Sequence, residues 1–295
     1  MIEYTIKKQS GRQGCPGELR RLRKDILMEM NVLGTGFALA TKNYNTCFAL
    51  EENGSLFLVD GGGGNQILRQ LEQSFLDWRD VHDIFVTHQH VDHFMGIIWM
   101  MRRIGYGMEL NDYEGEVRIY SSRTVIDKID KVAHLLLRPQ ELCHIGSRIH
   151  LIPVEDSETA QVLGHPITFF DIGNPKTIQF GFSLEYRPGK RLTCLGDESC
   201  RPEGEKYVAG SEWLLHEAFC LESDSAIFHP HKIAHSTVKD ACELAERYSV
   251  PNLILYHTEE SHGDQRQKLY LEEGRKYFSG NLLVPEDLDV ILVYS

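Results

Sequence analysis

The chain has 295 residues, 42% hydrophobic and 25% charged, a composition that excludes a fibrous or globally disordered protein. Its 31 Lys and Arg stand against 43 Asp and Glu, a net charge of −12, opposite in sign to a protein built to grip nucleic acid nonspecifically. The longest nearly unbroken apolar run, residues 94–101, is far shorter than the ~20 residues of a membrane span, and no apolar stretch follows the basic N-terminus as in a secretory signal.

Residues 1–30 carry seven Lys and Arg and four acids. They read as a basic N-terminal extension, helical in part over 16–30, or as sequence upstream of a later start at Met28 or Met30. From Asn31 the chain alternates β-rich runs with helical stretches and reads as one domain over 31–295. Strands are expected at 31–33, 46–50 and 56–60, then a helix at 65–78 with Ile67, Leu68, Leu71, Phe75 and Leu76 at helical spacing. A strand at 83–87, a helix at 94–103, a strand at 117–120 and a helix at 122–137 follow. Strands are then expected at 148–153, 167–172, 180–186, 191–195 and 211–216, a helix at 235–248, a strand at 252–256, a helix at 264–278 and a last strand at 290–294. The seven cysteines (Cys15, Cys47, Cys143, Cys194, Cys200, Cys220, Cys242) form no CxxC pair and read as reduced, packed thiols of a cytoplasmic protein.

The densest chemistry is Thr87-His88-Gln89-His90-Val91-Asp92-His93, just after a short apolar strand. A strand running into a loop aims alternate side chains at one point, so His88 and His90 face one metal and Asp92 with His93 a second. Imidazole and carboxylate suit zinc, and also manganese or iron. A solvated loop that happens to hold three histidines is the bland alternative, and the motif is too dense for it. Asp197 and His257 each follow a predicted strand, where α/β sheets place their sites, and complete a dinuclear set. Alone, either would be a turn residue.

The order of these segments resembles the metallo-β-lactamase fold, and within it the ribonuclease Z branch. The resemblance rests on Leu33-Gly34-Thr35-Gly36, Leu58-Val59-Asp60-Gly61-Gly62, Thr87–His93, Phe180-Gly181-Phe182, Leu195-Gly196-Asp197, Leu215-His216-Glu217-Ala218, His235-Ser236-Thr237 and Leu253-Ile254-Leu255-Tyr256-His257. It implies an α/β, four-layer αββα sandwich with two divalent ions, Zn2+ foremost, held by His88, His90, Asp92, His93, Asp197 and His257, with Asp197 as the bridge. It further implies that a metal-bridging hydroxide attacks phosphorus, that Asp92 orients it, that Glu217 and His235 handle the leaving-group proton, and that Asp60 braces the metal loop. The function so indicated is a metal-dependent phosphodiesterase. The rivals are hydrolysis of a thioester, lactone or β-lactam on the same fold, and a degenerate member that binds ligand without turnover.

Two departures stand out. The family places a third first-metal histidine just before Phe180-Gly181, and residues 170–179 contain none. Asn174 or Asp171, His165 from upstream, or water are the substitutes, and the first site is expected to be partly occupied. Between Arg103 and Pro166 there is no Gly/Pro-rich basic arm of the kind that clamps transfer RNA, which with the charge favours a small phosphodiester or nucleic-acid-derived substrate. A homodimer is a candidate assembly. The run Gly61–Gly64 reads as a tight turn beneath the metal loop, Gly34-Thr35-Gly36 as a structural turn, and His229-Pro230-His231 as lining of the cleft beside His235. Asp224, His134, His144, His150 and His262 read as ordinary surface groups.

Overall fold

The computed structural model describes residues 6–7, 28–174 and 176–294. The helix expected from Pro16 therefore lies largely outside the described residues. The chain divides into two compact units, one made of Met1–Gly34, Thr46–Pro153 and Asp287–Ser295, the other of Thr35–Asn45 and Val154–Glu286.

In the first unit the strands are β1 (Ile6–Lys7), β2 (Met28–Gly34), β3 (Cys47–Glu52), β4 (Ser55–Val59), β5 (Val81–Phe85), β6 (Val117–Ser122) and β7 (Ile149–Val154). Together with the last strand of the chain, Val290–Tyr294, they form one sheet in the order β1, Val290–Tyr294, β2, β3, β4, β5, β6, β7. The strand expected at Asn31 begins at Met28 instead. Met28 and Met30 are buried and register with Glu52 and Leu50 of β3, so the sheet begins inside the stretch read as an extension. Helices α1 (Gln66–Gln73), α2 (Val91–Glu109) and α3 (Arg123–Leu136) are the longer helices of this unit. The middle one buries Phe94, Ile97, Ile98, Met101, Ile104 and Met108, the three-and-four spacing of an amphipathic helix, and runs well past the expected end at Arg103.

The second unit holds β8 (Thr159–Val162), β9 (His165–Asp171), β10 (Phe180–Arg187), β11 (Lys190–Cys194), α4 (Pro202–Val208), β12 (Trp213–Glu217), α5 (Val238–Arg247), β13 (Asn252–Tyr256), α6 (Arg266–Gly274) and β14 (Asn281–Leu283). Its sheet runs β14, β13, β12, β11, β10, β9, β8. Strands β11, β12 and β13 are parallel neighbours, so their C-terminal ends share one edge. Apolar residues of α5 and α6 pack on this sheet, among them Val238, Ala241, Cys242, Ala245 and Tyr270 against Leu214, Leu253 and Leu255. The helix expected from His235 starts at Val238, because Thr237 caps it: its hydroxyl accepts the Asp240 amide while the Asp240 carboxylate accepts the Thr237 amide. This leaves His235 in the loop before the helix.

Candidate metal centre

In the first unit, β4 and β5 run parallel and each ends in a site loop. Asp60, one residue past β4, has φ 58°, a left-handed conformation uncommon for a residue with a side chain. Its carboxylate accepts the Thr87 amide, the Thr87 hydroxyl and His93 Nδ1, each at 2.8 Å. Thr87 Oγ1 is also 3.0 Å from His88 Nδ1. Both histidines thus have Nδ1 engaged, which fixes the ring orientation and makes Nε2 the nitrogen to present to a cation. The imidazoles of His88 and His90 lie 4.4 Å apart and those of His88 and His93 4.3 Å apart. His93 Nε2 is 3.2 Å from Asp92 Oδ2. His88, Asp92 and His93 are buried and His90 is exposed.

The loop is fixed from below by glycine. Gly61 donates to the His93 carbonyl and Gly96 to the Gly62 carbonyl. A Cβ on Gly96 would lie 1.7 Å from the Gly61 carbonyl oxygen, so only glycine lets α2 come this close to the turn after β4. The Gly61–Gly64 run is accordingly a turn against the helix that begins in the histidine motif.

In the second unit, the shared edge of the parallel strands gathers Asp197 (after β11), Glu217 (the last residue of β12) and His257 (after β13). His257 has φ 56° and its Nε2 is 3.4 Å from Asp197 Oδ2; both residues are buried. The fully buried Glu217 carboxylate accepts the Ser236 amide, and the Phe219 amide at 3.1 Å. His235 Nδ1 stands 3.6 Å from Glu217 Oε2, longer than a hydrogen bond, so Glu217 acts on it through charge. The His235 ring stacks on Phe219 at 5.1 Å and lies 5.3 Å from the His257 ring. Burial alone would lower the His235 pKa, but the neighbouring Glu217 carboxylate and the charge of Asp197 carry it up to about 9.

The positions offered for the absent histidine fare unequally. Asn174 Oδ1 accepts the Lys176 amide at 2.9 Å and Asp171 Oδ1 the Gly173 amide at 2.8 Å, so both close the turn after β9. His165 opens β9 opposite Val162, six residues before Asp171, which at ~3.3 Å per residue places it on the order of 20 Å from the end where β9 meets Phe180. It cannot reach Asp197, which follows the strand end registered with Phe182.

Two residues and one cluster here were not singled out by the sequence reading. Gln179 is buried, and its Nε2 donates to Asp197 Oδ1 at 2.5 Å. Glu198 is buried next to Asp197; desolvation first, then the Asp197 charge, push its pKa up to about 7. Asp224, Glu259 and His262 bring ligand atoms within 4.8 Å of one another, with His262 Nε2 2.6 Å from Asp224 Oδ2. Of these only Asp197-Glu198 carried a visible signal, two acids in sequence after a strand. His231, in contrast, pairs with Asp240 at 2.7 Å.

The donors on each unit fit a divalent cation. They are imidazoles beside carboxylates, mostly buried, with Nδ1 engaged in His88 and His93. The sequence profile of the family described as Anti-Pycsar protein Apyc1 matches residues 28–276. A ribonuclease Z from Shouchella clausii is 26% identical over 312 residues, covering 89% of this chain and 96% of its own length. Among solved structures, the metallo-beta-lactamase fold protein YhfI from Bacillus subtilis superposes with TM-score 0.72 at 17% identity, covering 90% of this chain and 99% of its own. Human tRNase Z, short form, gives TM-score 0.69 at 21% identity, covering 90% of this chain and all of its own, 100%. These likenesses establish the fold.

Proposed function

The chain belongs to the family described as Anti-Pycsar protein Apyc1, has the metallo-β-lactamase fold in its ribonuclease Z-like form, and on that premise we propose that it is a metal-dependent hydrolase of small phosphodiesters. In this reading His88, His90, Asp92 and His93 of the first unit and Asp197 and His257 of the second are the residues that would hold the metal. When bound, two such ions supply a nucleophile at neutral pH and neutralise charge growing on the phosphoryl oxygens. Asp60 keeps His93 turned toward its ion, and Thr87 does the same for His88.

The observation that carries the phosphodiester assignment is the Glu217–His235 pair. Glu217 is immobilised by two backbone amides and leaves His235 protonated at neutral pH. A protonated imidazole on a rigid mount can give its proton to an alkoxide leaving from phosphorus, the hardest part of cleaving an ordinary phosphodiester. A thiolate, the leaving group of a thioester, needs it less. Phe219 beneath the ring restricts its motion, so the proton is delivered from one place.

Size selection follows from the stretch where a clamping arm would emerge. Residues 104–165 fold back as helix and strand and hold no long Gly/Pro-rich basic run, in a chain of net charge −12. Small phosphodiesters fit this surface better than intact transfer RNA. The test is one substrate panel with metal-loaded protein: bis-p-nitrophenyl phosphate, nucleotide phosphodiesters, a thioester, nitrocefin and precursor transfer RNA. The expected result is turnover of the small phosphodiesters alone. Faster thioester or nitrocefin turnover would overturn the assignment.

A further inference from the structure

The loop between β9 and β10 is pinched at its base by the Ile172 amide donating to the Gln179 carbonyl at 3.1 Å. This turns the Gln179 side chain inward, where none of it is exposed. Room for it is made by Gly196, which has φ +74°; a Cβ there would lie 2.4 Å from Gln179 Nε2. The Gly196 carbonyl is itself held by the Tyr256 hydroxyl. Gln179 is thus fixed by the backbone on both sides rather than draped over the site.

The amide has one sensible orientation. Its neighbour Asp197 Oδ1 can only accept, so Nε2 must face it; the reverse would set two oxygens against each other. This leaves Gln179 Oε1 as a buried acceptor with no hydrogen-bond partner. Such an atom costs free energy unless something shares its lone pairs. The carboxylate next to it is a proposed metal ligand, and a neutral amide oxygen is a hard donor suited to divalent ions.

We propose, resting on the metal centre described above, that Gln179 is a metal ligand in place of the missing histidine: Nε2 holds Asp197 in place and Oε1 is an additional donor to an ion held at Asp197. The ligand lies five residues beyond the turn at Asp171–Asn174. One consequence is a site with an oxygen in place of an imidazole, which shifts its preference toward oxygen-seeking divalent ions such as Mn2+ relative to Zn2+.

The test compares the parent chain with Gln179→Met, which keeps the volume but offers neither N–H nor oxygen, and Gln179→His, which restores an imidazole. Metal per chain is measured after dialysis against a mild chelator, and the Co2+-loaded proteins are compared by visible absorption; circular dichroism checks folding. The expected result is that Gln179→Met retains about half the metal of the parent and changes the Co2+ spectrum, with first-site affinity down by roughly 10–100-fold. Gln179→His should recover full occupancy. Parent-level occupancy and spectrum in Gln179→Met would overturn the proposal. Loss in Gln179→Met without recovery in Gln179→His would also overturn the donor role, leaving only the hold on Asp197. A parent chain that takes up no metal would instead remove the metal centre on which the proposal rests.

Discussion

His235 is where the chemistry of this site can be separated from its metals. Its side chain is tied to Glu217 by charge and to Phe219 by stacking, and lies beside the ring of His257 and the backbone of Asp197. His235→Ala should keep its metal and lose turnover of alkyl-leaving phosphodiesters by roughly 10²–10⁴-fold. The loss should shrink when p-nitrophenolate leaves, because that group needs little protonation. Equal losses for good and poor leaving groups would mean that His235 positions substrate instead. Asp60 gives a second residue-level expectation. It binds Thr87 twice and His93 once, so Asp60→Asn should weaken metal binding by roughly 10–100-fold, read by chelator competition, while the fold persists. Unchanged affinity would show that the loop holds its shape without this carboxylate.

The elements place these residues through two devices: parallel strands whose ends line up, and glycines that let backbone meet backbone. Gly96→Ala is the sharpest probe of the second, because the new methyl would meet the Gly61 carbonyl at 1.7 Å. Neither partner is a flexible side-chain end, so the helix must shift. A loss of ~1–3 kcal/mol or more is expected in denaturant unfolding, with metal affinity falling in parallel as His93 moves with its helix. A variant as stable as the parent would show that α2 approaches the turn less closely.

The elements also show what the sequence made legible. The histidine motif could be read because its density after an apolar strand has no bland explanation. The motif helix and β13 were visible in their apolar periodicity, and the assignment of β13 to 252–256 matches the structure. Strands β8 and β14 went unseen: β8 alternates mostly exposed residues, and β14 has three. Helix α4 did carry a signal, Pro202 in its first turn followed by Glu203 and Glu205, which the reading passed over. Gln179 carried none. A lone glutamine in a loop has no periodicity, and its role depends on a glycine 17 residues later and on a long-range contact with Asp197. His165, by contrast, was a plausible ligand type excluded only by strand register.

For the molecule as a whole, the buried groups of the second unit make stability depend on pH when metal is removed. His235 has its folded pKa raised from 6.5 to about 9, so its proton favours the folded state; that contribution is complete below about 6.5 and disappears as pH rises through about 9. Glu198 is raised from 4.5 to about 7, so its protonated form favours folding and that contribution is lost as pH rises from about 4.5 through about 7. Both act in one direction. The chelated protein should therefore melt at progressively lower temperature from pH 5 to pH 9, and Glu198→Gln should flatten the lower part of that fall. A melting temperature that rises over this range would contradict both assignments. Restored metal should reduce the slope, since bound cations favour the deprotonated forms of the groups around them.

No described helix is long and apolar enough to cross a membrane. The central claim is that Asp197 is a metal ligand and that the metal it helps to hold is needed for the hydrolysis. The most direct measurement is metal content per chain, taken together with bis-p-nitrophenyl phosphate turnover, for the parent and Asp197→Ala purified side by side. The account predicts close to two ions per parent chain, nearly none in the variant, and loss of turnover with them. Metal content unchanged in Asp197→Ala, or turnover that survives without metal, would contradict it.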